Sequence, residues 1–486
     1  MPTSFAAKVR ENAKADPGRP ALTCGDLTLS RDEFVTQTGR LAARMVERGV
    51  GRGDTVTIGL PNSAEAVIAM FATWWLGATP QPVSHRLPAH ERTAIIELAA
   101  PALVIGVPAE EAAGAPVMSA AELAEAAADS SLMAPPDAVA PVWKSVTSGG
   151  STGRPKLIVA TQAAEVENVA GFGSLLRFPT DGVVLVTGPL SHNAPFVVAS
   201  VGMLLGNHVV VMPRFDALET LQLTERHRVQ WLYLVPTMMS RIWRLPEEVR
   251  TGHDMSSVEV AFHMAAPCPE WLKRAWIEWL GADTILELYG GTELQAMTVL
   301  TGTEWLAHPG SVGKPVIGEI EIRDDDGNPV PAGTPGEVWM RRGADQPSPY
   351  EYVGATAKTA DAGWESLGDL GYVDAEGYVY LNDRLTDMIV VGGSNVYPAE
   401  VEAALDEHPA VRSSCVIGLP DEDLGNASHA LIDAVDEVSD DELREFLRDR
   451  IAPYKVPRTF ERVTEPLRDD AGKVRRSALR AARVQS

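Results

Sequence analysis

Strand-like and helix-like segments alternate along this chain, and few architectures accommodate that order. Ser30-x-x-Glu33 reads as a capping box, Phe34, Leu41 and Met45 follow at near-helical spacing, and Gly49 ends the helix. Residues 54–60 (DTVTIGL) then read as a strand. Alternating elements of this kind bury a sheet between helical layers, so the expectation is an α/β protein. The Ala-rich stretch from about 108 to 140, with scattered Pro, fits either a linker or an Ala-rich helix. A second pattern begins near Asp383. Residues 369–382 read as a strand pair around Glu376-Gly377. Beyond them, 387–391 read as a strand, Pro398 opens a helix at its first turn, 410–419 read as a strand and 439–450 as a helix. The chain of 486 residues thus divides into a large α/β domain over 1–382 and a small α+β domain over 383–486. No internal repeat is visible.

Charge and cysteine content exclude several classes of function. Net charge is −24, which disfavours nucleic acid and anionic membrane as partners. The excess is uneven, since Arg444 to Ser486 carries 12 Lys+Arg against 6 Asp+Glu. That basic end either docks on the acidic body or meets an anionic ligand. Three cysteines, Cys24, Cys268 and Cys415, form no C-x-x-C and no disulfide scaffold. No apolar run reaches the roughly 18 residues a membrane span needs. Lys8, Arg10 and Glu11 stand where a signal peptide is apolar, so a cytoplasmic location is expected. The 10 histidines show no paired metal spacing, and no zinc is expected.

The segment Thr147-Ser148-Gly149-Gly150-Ser151-Thr152-Gly153-Arg154-Pro155-Lys156 carries the chemistry. Its glycines let backbone N–H groups crowd around a ligand, and its hydroxyls and Lys156 add donors and one positive charge. Phosphate oxygens need that mixture. The P-loop pattern G-x-x-x-x-G-K-[ST] is not matched, because Leu157 follows Lys156. The hydrolase elbow G-x-S-x-G is matched over Gly149–Gly153, which leaves Ser151 as a rival nucleophile. That elbow requires strand–turn–helix, whereas Leu157-Ile158-Val159 favours a strand after the turn.

The segment resembles the phosphate loop of the adenylate-forming enzymes: acyl- and aryl-CoA synthetases, peptide-synthetase adenylation domains and firefly luciferase. Further segments resemble that family's signatures in its order: Tyr289-Gly290-Gly291-Thr292-Glu293, Gly368-Asp369-Leu370-Gly371, Asp383-Arg384 with Asp387, and Gly472-Lys473-Val474-Arg475-Arg476. The resemblance implies that a carboxylate attacks the α-phosphorus of ATP, giving acyl-AMP and pyrophosphate, and that a thiol then takes the acyl group. By position, Lys473 corresponds to the lysine bridging carboxylate and α-phosphate, and Glu293 to the acid holding Mg²⁺. Thr147, Ser148, Gly149, Ser151, Thr152, Gly153, Lys156 and Thr292 fall in phosphate-binding positions, and Gly290 in a nucleotide-binding one. Asp369 corresponds to the ribose carboxylate, Arg384 to a ribose or phosphate contact, Tyr289 to an adenine neighbour, and Ala265-Ala266 to the strip beside adenine. Read alone, Lys473 is a lysine in a basic tail and Glu293 part of a helix-cap pair.

For the second step the resemblance implies rotation of the C-terminal domain about Asp383. Gly392 and Gly393 would meet the pantetheine arm of CoA, and Lys455, Arg458, Arg475 and Arg476 its phosphates. His192 corresponds to a histidine near the reacting carboxylate. Leu157 departs from the family's usual glycine. With S-H-N-A-P-F at 191–196, it points to the branch acting on bulky alicyclic acids, bile-acid, steroid or diterpenoid. Phe196, Tyr233, Val235 and Met264 are the expected acyl-pocket residues. The resulting expectation is an ATP-dependent acyl-CoA synthetase using Mg²⁺, with an acyl-AMP ligase loading a carrier protein, or an aryl or fatty acyl-CoA ligase, as alternatives. A homodimer is in keeping with the family.

Overall fold

The computed structural model describes residues 2–148, 155–391, 394–421, 424–469 and 472–484, with only the backbone of Ser148. The capping box forms: Ser30 Oγ accepts from Glu33 N, and the Glu33 carboxylate accepts from Ser30 N. It opens the helix Arg31–Glu47, whose Phe34, Leu41 and Met45 are buried. Phe34 packs edge-on against Phe71 of the helix Ala64–Trp75 at 5.4 Å. The strand expected after Gly49 is Thr55–Ile58, inside a parallel sheet with Thr79–Pro82, Leu103–Ile105 and Val117–Met118. The Ala-rich stretch contains the helix Ala120–Ala128, opened by a second capping box from Ser119 and Glu122.

The largest sheet among the described residues has nine strands. Its centre is parallel and runs through Ile285–Gly290, Val260–His263, Trp231–Leu234, Val183–Val186, His208–Val211 and Pro20–Cys24. Strands covered on both faces need apolar side chains on both faces, hence the runs VVLV, HVVV and WLYL. In open parallel sheets, ligands lie beyond the carboxyl ends of the strands. Here those ends release the chain at Thr187, Val235, Met264 and Gly291. Smaller sheets flank this one. The strand pair around Glu376-Gly377 is Glu365–Val373 with Val379–Arg384. Ser145–Ser148 and Lys156–Ala160 form a hairpin, joined on its outer edge by Tyr350–Val353.

A small C-terminal domain follows. It contains the strands Ile389–Val391 and Ser394–Val396, the helix Pro398–Leu405 with proline in its first turn, and the long antiparallel pair Val411–Asp421 and Gly425–Ala434. The helix Asp440–Arg448, capped by Ser439, the strand Thr459–Arg462 and the helix Arg476–Val484 complete it. Val396, Val401, Leu405, Val416, Ile432, Leu443 and Leu447 give it a core separate from that of the large domain. The expected elements at 387–391, 410–419 and 439–450 all form, within two residues at either end. Among the described residues, no helix is long and apolar enough to cross a membrane.

Candidate active site

A cleft of about 2380 Å³ opens where the carboxyl ends of the central strands face the small domain. Thr147, His192, Ala265, Ala266, Tyr289, Gly290, Asp369, Asp383 and Arg384 line it from the large domain and boundary, and Gly472, Lys473 and Arg475 from the small one. The hairpin fixes one wall. Ser148 pairs with Lys156, so the chain between them reverses direction and returns as a strand. A strand–turn–strand is not the strand–turn–helix of a hydrolase elbow. Gly149, Ser151, Thr152 and Gly153 lie outside the described residues. Gln81 Nε2 donates to the Thr147 hydroxyl at 3.2 Å.

Lys156 begins the return strand. Its ammonium is 3.6 Å from Glu293 Oε1 and 3.9 Å from the centre of the Tyr352 ring. The Tyr352 hydroxyl donates to the same Glu293 oxygen. Glu293 is only 6% exposed, so its charge relies on these partners. It follows the half-buried Thr292 in the loop after the strand Ile285–Gly290. Among the described residues no group of three His, Cys, Asp or Glu is arranged to hold a metal ion. A single hard carboxylate beside Lys156 suits Mg²⁺, which keeps most of its shell as phosphate and water oxygens.

A second cluster forms from three separate strands. Tyr289 Oη donates to Asp369 Oδ2 at 2.8 Å, and Arg384 Nε lies 3.2 Å from Asp369 Oδ1. Asp369 and Arg384 are direct partners across their strand pair. Burial, with the negative charge of Asp369, holds the Tyr289 hydroxyl well above its ordinary pKa, so it acts as a donor. Ala265 turns the chain after the strand Val260–His263 with φ +79°, a conformation uncommon outside glycine.

Lys473 reaches the cleft on a loop of the small domain. Gly472 has φ +76°, and a Cβ there would stand 2.8 Å from Thr237 Oγ1, so glycine is required for this close approach. The Asp469 carboxylate accepts from Lys473 N at 2.9 Å. Desolvation by the surrounding cleft walls and then the charge of Arg384 lower the lysine's pKa, opposed by Asp469 and Glu293. Asp383 joins the domains: one carboxylate oxygen accepts from Arg384 N at 2.7 Å, the other from Ala399 N in the first turn of Pro398–Leu405 at 2.9 Å. Burial raises its pKa. His192 is the N-cap residue of the helix Asn193–Leu204 and lines the cleft.

The expected acyl-pocket residues sit elsewhere. Phe196 is fully buried, edge-on to Trp74 at 5.5 Å. Tyr233 and Val235 are also in the core, and Met264 is half-buried against it. None of the four lines the cleft, whose wall there is made by Pro189, Ser191, Pro236 and Ser240. They lie in or beside central elements whose faces are both covered, so their apolar character serves the core. The basic residues expected to meet CoA are held by carboxylates: Lys455 by Glu400, Arg458 by Asp421, Arg475 by Glu91, and Arg476 by Glu402 and Asp387. Gly392 and Gly393 lie outside the described residues.

Three features escaped the sequence reading. Lys144 is buried, donates to Asn193 Oδ1, and is pulled down by burial to a pKa of about 7, against the opposing charge of Glu293. A lone lysine in an otherwise apolar strand entry was the available signal. Tyr352 carries no local signal. Beneath the cleft, Lys273 and Glu287 form a buried ion pair beside His263, neither of whose ring nitrogens has a hydrogen-bond partner among the described residues.

Comparison with known proteins gives the family and the fold. The AMP-binding enzyme model matches residues 9–344, and the AMP-binding enzyme C-terminal domain model matches 400–473. The feruloyl-CoA synthase of Amycolatopsis sp is 30% identical over 96% of both chains. A methyl-dioxo-octahydro-indenyl-propanoyl:CoA ligase of Rhodococcus jostii is 30% identical over 99% of both. The structure of the o-succinylbenzoate CoA synthetase MenE of Bacillus subtilis, in complex with its acyl-adenylate intermediate, superposes with a TM-score of 0.83 at 26% identity, covering 99% of this chain and 98% of that one. The chain belongs to the AMP-binding enzyme family. Its class is that of the AMP-forming acid–thiol ligases, ATP-dependent acyl-CoA synthetases with Mg²⁺ and CoA.

Proposed function

We propose that this ligase converts a bulky hydrophobic cyclic carboxylic acid, of steroid, bile-acid or diterpenoid type, into its CoA thioester. The reading is carried by the meeting in one cleft of Tyr289, Asp369 and Arg384, from the large domain and its boundary, with Lys473 from the small one, where the charge of Glu293, paired with Lys156, also reaches Lys473. Two anions have to be brought together in the first step, so positioned cations lower the barrier most. Lys473 bridges the carboxylate and the α-phosphate, Lys156 and Thr147 hold phosphate oxygens, and Asp369 holds the ribose hydroxyls. Glu293 would hold Mg²⁺, which would supply charge neutralisation. In the second step the small domain rotates about Asp383 and withdraws Lys473, a gate of the kind that often sets turnover. His192 then faces the acyl group, and Gly392-Gly393 admits the pantetheine arm. The substrate class rests on Leu157, the 191–196 segment and the fused-ring substrate named for the Rhodococcus jostii relative.

The test is a mass-spectrometric assay with ATP, Mg²⁺, CoA and a panel of acids: acetate, fatty acids, benzoates, bile acids and diterpenoid acids. Acyl-CoA confined to the bulky cyclic acids is the expected result. Thioesters formed only from benzoates or fatty acids overturn the substrate class. Acyl-AMP without thioester moves the acceptor to a carrier protein.

A further inference from the structure

A buried charge has to be met by partners, and one carboxylate of the small domain is met from both ends of the loop that carries Lys473. Glu402 lies in the helix Pro398–Leu405 and is only 5% exposed. Its Oε1 accepts from Val416 N at 2.7 Å and from Arg476 Nη1. Its Oε2 accepts from Arg476 Nη2 at 3.0 Å and from Arg468 Nη2 at 3.2 Å. Burial alone would raise its pKa, but Arg476 and then Arg468 hold it below the usual carboxylate value, so it is an ion at neutral pH. Arg468 precedes Lys473 in the chain and Arg476 follows it. Arg468 does more than neutralise the carboxylate. Its other arm, Nη1, donates to the Gly472 backbone oxygen at 3.3 Å, and Nη2 also donates to Ser414 O at 3.2 Å. The guanidinium thereby ties the residue next to Lys473 to a helix and to the strand Val411–Asp421. A planar fork can span these points at once, and an ammonium cannot.

A lysine side chain is long and rich in rotamers, so the backbone beneath it has to be held if its ammonium is to meet two reacting anions. A turn of the loop itself, Gly472 N to Asp469 O and Asp469 N to Lys473 O, both at 2.9 Å, shapes that backbone. The tie through Arg468 fixes the turn to the domain. We propose that the Glu402–Arg468 pair positions Lys473 for adenylation. The inference rests on the reading of Lys473 above. Glu402, Ser414, Arg468 and Arg476 all lie beyond Asp383 in the chain, so the pair travels with the small domain when it rotates. Once Lys473 has been withdrawn, its placement no longer affects the reaction. Loss of the pair therefore slows the first half-reaction and spares the second, whereas a merely structural role would slow both.

The experiment times both half-reactions of the full chain. One uses ATP and the panel acid of highest thioester yield, the other synthetic acyl-AMP of that acid with CoA. The proteins are wild type, Arg468→Met, Arg468→Lys, Lys473→Ala and Arg468→Met/Lys473→Ala. Arg468→Met removes the tie to Gly472 and leaves Glu402 neutralised by Arg476. Arg468→Lys keeps the charge beside Glu402 without the fork, and so separates loss of the tie from loss of the charge. Both should adenylate about 10-fold more slowly, with KM for ATP within about 3-fold, and form thioester from acyl-AMP within about 2-fold of wild type. Adding Arg468→Met to Lys473→Ala should change adenylation by less than about 2-fold, because a residue that acts through Lys473 then has nothing to act on. Equal loss of both halves, or wild-type adenylation in both Arg468 variants, overturns the inference while leaving the reading of Lys473 intact. So does an undiminished effect of Arg468→Met in the Lys473→Ala background. Wild-type adenylation in Lys473→Ala itself overturns the reading of Lys473 and this inference together.

Discussion

Lys144 and Glu293, both buried, illustrate how much an individual side chain depends on what surrounds it. Burial pulls Lys144 down to about 7, so protonating it costs the folded chain more than the unfolded one. Between about pH 7 and the ordinary lysine range near 10, the unfolded chain binds a proton that the folded chain does not, and stability rises with pH across that window. Below pH 7 the cost is felt in full. Lys144→Met removes it, so the variant should be more stable than wild type at pH 6 by about 2–4 kcal/mol, and the gap should narrow toward pH 10. Thermal unfolding at a series of pH values measures this, and a gap independent of pH contradicts it. Glu293 is a different case, a buried carboxylate held by Lys156 and Tyr352. Glu293→Gln keeps the shape and removes the charge, so adenylation should need about 10-fold more Mg²⁺. An unaltered Mg²⁺ titration removes the metal-holding role.

At the scale of elements, the strand Val379–Arg384 and the helix Pro398–Leu405 matter most, because Asp383 connects them. Proline there would fix φ and forbid the backbone change a rotation needs. Asp383→Pro should slow thioester formation by about 10-fold or more beyond its effect on adenylation. An unchanged ratio of the two rates, measured separately, removes the hinge. Elements were the most legible level of the sequence, because their signals are local. Ser30 and Glu33 mark a helix start from three residues apart, and Pro398 marks another. The strand Tyr350–Val353 shows the limit: it pairs with Lys156–Ala160 across 190–196 residues of sequence, and only that pairing brings Tyr352 to Lys156 and Glu293. The burial of the acyl-pocket candidates was illegible for a related reason. Tyr233 and Phe196 are apolar and near signature segments, but sequence does not distinguish a covered sheet face from a cleft wall.

For the whole molecule, the arrangement is a closed one. Lys473 stands in the cleft, Arg475 pairs with Glu91 of the large domain at 3.0 Å, and Arg244 donates to the backbone oxygen of Asp406 at 2.9 Å. The Arg475–Glu91 pair is solvent-exposed and thus contributes at most about 1 kcal/mol, weak enough for the domains to part. The signature segments were legible because their order in the chain is distinctive. That Asp369, Arg384 and Tyr289 would form one hydrogen-bonded cluster was not, since it depends on strand register. In the proposed mechanism Lys473 serves the first half-reaction alone. Both halves should therefore be timed in Lys473→Ala, using ATP and acid for one and synthetic acyl-AMP with CoA for the other. Adenylation should fall by about 100-fold or more, while thioester formation stays within about 3-fold of wild type. Equal loss of both halves would contradict the account.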